Sequence, residues 1–119
     1  MTKNSDAIVI YHNPRCSKSR EALALLQQRG IEPQIVEYLK TPPAENQLRE
    51  VIKKLGVRPE VLMRKGEDVF KEQFADRKLS DEECIAAMLE HPVLIERPIV
   101  ICGNRAVVAR PPMLVIELF

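Results

Sequence analysis

Hydrophobic positions along the chain change their period several times, and each change predicts an element. Ala7 to Tyr11 is a short apolar, β-branched run that predicts a buried strand, broken by His12-Asn13-Pro14. From Ser17 to Arg29 an Ala- and Leu-rich stretch predicts a helix, with Gly30 at the expected stop. Gln34 to Tyr38 predicts a second strand. A strand–helix–strand unit of this kind pairs its strands in parallel through a right-handed crossover.

The middle of the chain takes the helical period. Pro42-Pro43 opens a helix from about Ala44 to Leu55, with Leu48, Val51, Ile52 and Leu55 on one face and Gly56 as its stop. Shorter helical segments follow at Pro59 to Met63 and Asp68 to Phe74. Ser80-Asp81-Glu82-Glu83 reads as a capping box for a helix from Asp81 to Glu90, closed by Pro92. Ile99 to Cys102 and Ala106 to Ala109 flank Gly103-Asn104, a hairpin signal, and Pro111-Pro112 opens a last helix through Glu117. The order β-α-β, helices, β-β-α resembles the thioredoxin-like layout. The expected fold is α/β, a mixed four-stranded sheet in one domain over residues 1–119, with a helical insertion at about 42–92 between its halves.

Composition narrows the partners. At 119 residues the chain holds one core, and 45% hydrophobic with 29% charged residues is globular. Eighteen basic against seventeen acidic residues give a net charge of +1, which argues against nucleic acid as a partner. The absence of Trp leaves little for base stacking. The apolar runs are too short to span a bilayer, and the polar start from Met1 to Asp6 is unlike a signal peptide. A cytoplasmic protein without a membrane partner is expected. Three widely spaced cysteines, Cys16, Cys84 and Cys102, make a poor disulfide framework, and with only His12 and His91 beside them no metal site is expected.

Cys16 falls where the first strand ends and the first helix begins. The free N–H groups and dipole of a helix start favour an anion, and a cysteine supplies one as its own thiolate. Arg15, Lys18 and Arg20 flank it, His12 and Asn13 add donors, and Ser17 and Ser19 add hydroxyls. A small buried capping residue is the plainer alternative; the cations and the loop position favour a reactive thiol. Cys84 and Cys102 read as packed thiols, and His91 as a surface or helix-end residue. A phosphatase loop of the form Cys-x5-Arg is excluded, because the sixth residue past Cys16 is Ala22.

The run His12-Asn13-Pro14-Arg15-Cys16-Ser17-Lys18-Ser19-Arg20 resembles the His-Asn-Pro-x-Cys-x-x-Ser-Arg signature of the glutaredoxin-coupled arsenate reductase (ArsC) family, and its short, YfgD-type members above all. Leu62-Met63-Arg64, Glu96-Arg97-Pro98-Ile99 and Arg110-Pro111-Pro112 resemble the family's arginine-bearing segments. The resemblance implies a glutaredoxin-like fold with Pro98 as a cis-proline beside the active cysteine. It implies Cys16 as nucleophile on arsenate or a similar oxyanion, with Arg64, Arg97 and Arg110 holding the oxygens. His12 would help to depress the thiol pKa, or simply hydrogen-bond the loop, with Asn13, Ser19 and Arg20 in support. It further implies glutathione as co-substrate, glutaredoxin as partner and no bound cofactor. Ser17-Lys18 departs from the Gly-Thr that many family reductases carry after the nucleophile. Two rivals share the fold: a thiol–disulfide oxidoreductase acting on another substrate, and a Spx-like regulator that docks on RNA polymerase. Redox members of the latter group carry Cys-x-x-Cys, whereas Ser19 stands at the second position here.

Overall fold

The computed structural model describes residues 8–119; the start of the first predicted strand at Ala7 and the polar leader Met1 to Asp6 lie outside the described residues. The described chain divides into two compact units, 8–41 with Arg97–Phe119, and Pro42–Glu96.

The first unit is built on a four-stranded sheet of order β2-β1-β3-β4, the mixed thioredoxin-like arrangement. Strand β1 (Ile8–Tyr11) is central, parallel to β2 (Gln34–Val36) and antiparallel to β3 (Ile99–Cys102), which pairs antiparallel with β4 (Arg105–Val108). Its β-branched side chains suit a strand with neighbours on both edges. Gly103, at φ +60°, supplies the left-handed first position that a two-residue hairpin requires.

Helix α1 (Ser17–Gln28) presents Ser19, Ala22 and Leu26 as one buried face. Ala22 and Leu26 pack with Ile10, Val100, Ala109, Val115 and Leu118 into the unit's core. The helix stops in a Schellman motif, with Gly30 N–H on the Gln27 carbonyl at 3.0 Å, Ile31 N–H on that of Leu26 at 3.0 Å, and Gly30 at φ +79°.

Strand β4 runs one residue ahead of the expected Ala106 to Ala109, and two predicted elements differ more. Strand β2 ends at Val36, because the Glu37 carbonyl accepts the N–H groups of Lys40 and Thr41 in a turn; Tyr38 is fully buried outside the strand and stacks on Tyr11. The last segment, Pro112–Leu118, is a 3-10 helix rather than an α-helix. Its buried residues Pro112, Val115 and Leu118 recur every third position, which is the 3-10 period.

The second unit takes in the segment expected as an insertion. Helix α2 (Glu45–Leu55) buries Leu48, Val51 and Ile52, and α4 (Asp81–Glu90), which it packs against, buries Cys84, Ile85, Ala87 and Met88. The Ser80–Glu83 capping box forms as predicted, Glu83 N–H donating to Ser80 Oγ at 3.1 Å and Ser80 N–H to Glu83 Oε1 at 2.9 Å. Helix α3 (Asp68–Gln73) is a short turn with no buried residue, and Pro59–Leu62 and Pro92–Leu94 are 3-10 turns. Met63 and Ile95 form an isolated antiparallel bridge, flanked by Arg64 N–H on the Leu94 carbonyl at 2.7 Å and Glu96 N–H on that of Leu62 at 2.8 Å.

Leu26 is fully buried at the centre of the first unit's core. Leu26→Ala is expected to cost about 2–5 kcal/mol, read as a lower denaturation midpoint in urea.

Candidate active site

Strand β1 delivers the chain directly into the loop that carries Cys16. His12 prolongs the parallel ladder, its N–H donating to the Val36 carbonyl at 2.9 Å. The loop then closes on itself. Cys16 N–H donates to the Asn13 carbonyl at 2.9 Å, Arg15 N–H to Asn13 Oδ1 at 3.0 Å, and Asn13 N–H to Ser19 Oγ at 3.0 Å. Arg20 Nη1 donates to the Pro14 carbonyl at 2.8 Å. Asn13, Ser19 and Arg20 are thus the residues that shape the loop.

Cys16 is the N-cap of α1, with extended φ and ψ, and its carbonyl accepts the first helical bond from Arg20 N–H at 3.0 Å. No side-chain cap hydrogen bond and no acidic residue occupy the first turn. The sulfur is half-buried. That partial burial opposes its ionisation, but the Ser19 backbone N–H, the Arg97 guanidinium and the Lys18 backbone N–H outweigh it and hold the thiol below its ordinary value. Cys84 is the opposite case: burial, with help from nearby carboxylates, pushes its thiol up.

His12 is buried and its Nδ1 lies 2.6 Å from Ser19 Oγ. Burial, with Arg20 adding to it and Glu37 opposing, keeps the imidazole below its ordinary range, so it is uncharged at neutral pH. It therefore brings no positive charge to the thiol at that pH. Its contact is with Ser19, whose N–H faces the sulfur. The Glu37 neighbour was not singled out from the sequence; the register Tyr11↔Val36 places residues 12 and 37 side by side once β1 and β2 are paired.

Of the flanking cations, Arg20 is engaged with Pro14, and Lys18 reaches Glu21 at 4.0 Å. The guanidinium at the sulfur comes from Arg97, at the entry to β3. Pro98, which follows it through a cis peptide, is fully buried. Arg110, just past β4 and exposed, donates Nη1 to the Arg97 carbonyl at 3.1 Å. Cys16, Arg97 and Arg110 are thereby linked within the first unit. Arg64 belongs to the second unit, where Nε meets Glu67 Oε2 at 3.1 Å and Nη1 meets Glu96 Oε1 at 2.6 Å. Those two carboxylate partners were not anticipated from the sequence.

Residues 11–117 match the ArsC family. The chain belongs to that family. This ArsC chain is 49% identical over 120 residues to the Escherichia coli protein YfgD, described as uncharacterized, covering 99% of the chain and 98% of YfgD. It is 46% identical over 114 residues to a Haemophilus influenzae arsenate reductase, covering 94% of the chain and 98% of the relative. A solved arsenate reductase structure from Vibrio cholerae superposes with a TM-score of 0.91 at 48% identity, covering 98% of the chain and all of that structure.

Among the described residues no three His, Cys, Asp or Glu side chains converge as a metal site, and no helix is long and apolar enough to cross a membrane.

Two outcomes follow from the ArsC site. Because the thiolate is the nucleophile, Cys16 alkylation by iodoacetamide should reach half its limiting rate at a lower pH than a free thiol's value of about 8.5. Cys84 should stay unreactive until the protein unfolds; peptide mass spectrometry separates the two. Ser19→Ala removes the partner of the part-buried Asn13 N–H and of the buried His12 Nδ1, at a cost of about 1–3 kcal/mol for the buried group left unsatisfied, measured by urea unfolding.

Proposed function

We propose that this ArsC chain is an arsenate reductase that draws its electrons from glutathione, with glutaredoxin completing the cycle. The observation that carries the reading is the pairing of the Cys16 sulfur with the Arg97 guanidinium at a helix start. A thiolate held by oriented N–H groups attacks; a guanidinium beside it neutralises charge on the oxygens of the centre attacked. The relatives named arsenate reductases add the substrate.

In the first step the Cys16 thiolate forms an S–As bond to As(V), and one As–O bond breaks, its oxygen leaving as water after taking up protons. Arg97 and Arg110 donate to the oxygens that remain. A glutathione thiolate then attacks the Cys16 sulfur. An S–S bond forms, and the S–As electron pair passes to arsenic, which departs as As(III). A thiol of glutaredoxin takes the glutathione from the mixed disulfide, and the Cys16 thiolate is restored. The two electrons gained by arsenic are those given up by the two sulfurs of the disulfide. An external thiol is required because Ser19, where redox relatives carry a second cysteine, holds the loop with its hydroxyl.

The same thiolate serves the rival reading, a thiol–disulfide oxidoreductase on another substrate, but that reading gives the arginines no oxyanion to hold. Docking on RNA polymerase draws on no feature of this site.

Arsenite production with arsenate, glutathione and glutaredoxin tests the proposal. Wild type should form As(III), Cys16→Ser should form none, and Arg97→Ala should lose roughly 10²–10³-fold in rate, as for removal of one preorganised donor. Wild type giving no As(III) above the protein-free control, while still exchanging glutathione at Cys16, would overturn arsenate as substrate in favour of the rival.

A further inference from the structure

The segment entering β3 and the segment leaving β4 are tied by two hydrogen bonds on consecutive carbonyls. Ala109 N–H donates to the Pro98 carbonyl at 2.9 Å, and Arg110 Nη1 donates to the Arg97 carbonyl at 3.1 Å. The first is a backbone bond that any residue at 109 except proline could make. The second depends on the side chain at 110.

Both arginines precede prolines, Pro98 and Pro111, and a residue before proline has a restricted backbone. Arg110 N–H also donates to the Val108 carbonyl at 2.9 Å, which further fixes the base from which its guanidinium extends. The bond is thus built between two stiff points. From the far point, Arg97, a second long side chain sets out toward sulfur, and where its guanidinium ends depends on where its backbone starts.

We propose that Arg110 is a positioning residue: its bond to the Arg97 carbonyl holds the backbone from which the Arg97 guanidinium reaches the Cys16 sulfur. This role comes besides any contact of Arg110 with an oxyanion. It rests on the reading of Cys16 as nucleophile and is independent of which oxyanion is reduced.

The elements that frame the Cys16 loop carry further charged and titratable groups. Arg15 lies in the loop before it, and Lys18, Arg20 and Glu21 on the first turns of α1. His12, uncharged at neutral pH, follows β1 with Glu37 beside it, and Arg97 and Arg110 stand together at the sheet end where β3 begins and β4 finishes. Arg110 could act on the thiol directly through its charge or indirectly through Arg97. A double-mutant cycle separates these, because two residues acting through one contact are non-additive.

The experiment is the pH dependence of Cys16 alkylation, without arsenate, in wild type, Arg110→Met, Arg97→Met and the double variant, with circular dichroism as the fold control. Arg110→Met should raise the midpoint by about one pH unit, in the direction of Arg97→Met. The double variant should match Arg97→Met alone. Arg110→Gln, a milder loss of the guanidinium, runs through the same cycle and should give the same pattern, so the test survives poor folding of the Met variant. Additive shifts would overturn the proposal in favour of direct charge action. An unshifted midpoint in the Arg110 variants would overturn it in favour of a role on substrate alone. The arsenite assay reads neither result, so failure of arsenate as substrate and failure of this positioning role are distinguishable.

Discussion

Helix α1 starts without a side-chain oxygen to satisfy its first N–H groups, and the chemistry of the protein depends on what stands in that place. Every α-helix begins with orphan donors, which are commonly met by Ser, Thr, Asp or Asn. Here the N-cap is Cys16, whose sulfur makes no cap bond of that kind, while Ser19 and Lys18 N–H favour its ionised form. The helix start thus offers its positive end to a group that gains by carrying charge. No carboxylate in the first turn competes for it.

Holding that sulfur in place is mostly the work of groups that carry no charge. Asn13 closes the turn through its own carbonyl and side chain, and Ser19 receives Asn13 N–H from below. His12 backs Ser19 from the buried side, where it is kept neutral by its surroundings. The loop is anchored on β1, one of the two strands with a partner on each edge, so Cys16 is held from the interior of the sheet rather than from an edge.

Much of this was legible in the residues themselves. The β-branched run at Ile8–Tyr11, the Ser80–Glu83 capping box and the Gly103-Asn104 hairpin all follow from local stereochemistry, and the structure forms each. The cysteine at the helix start was legible for the same reason, since capping is a local property. Distant pairing was harder to read. Neighbours in sequence pointed to Arg15, Lys18 and Arg20 as the cations serving the thiol, yet Lys18 turns to Glu21 and Arg20 to Pro14, and the guanidinium at the sulfur arrives from position 97. Only the resemblance to ArsC proteins pointed to that residue. The 3-10 character of the last segment is written in the spacing of Pro112, Val115 and Leu118, whereas the Pro111-Pro112 start signal does not tell a 3-10 helix from an α-helix. Tyr38 sits in the core although β2 stops short of it, because stacking on Tyr11 buries it without a strand.

A sulfur stabilised as an anion is also a good leaving group. The oriented N–H groups and the Arg97 guanidinium that raise the thiolate fraction of Cys16 also favour its departure once it is bonded to another sulfur. Any mixed disulfide formed at position 16 is therefore primed to be cleaved by an incoming thiol at its outer sulfur, expelling Cys16. One electrostatic arrangement thus both keeps free Cys16 ionised and eases its release from a mixed disulfide by an external thiol.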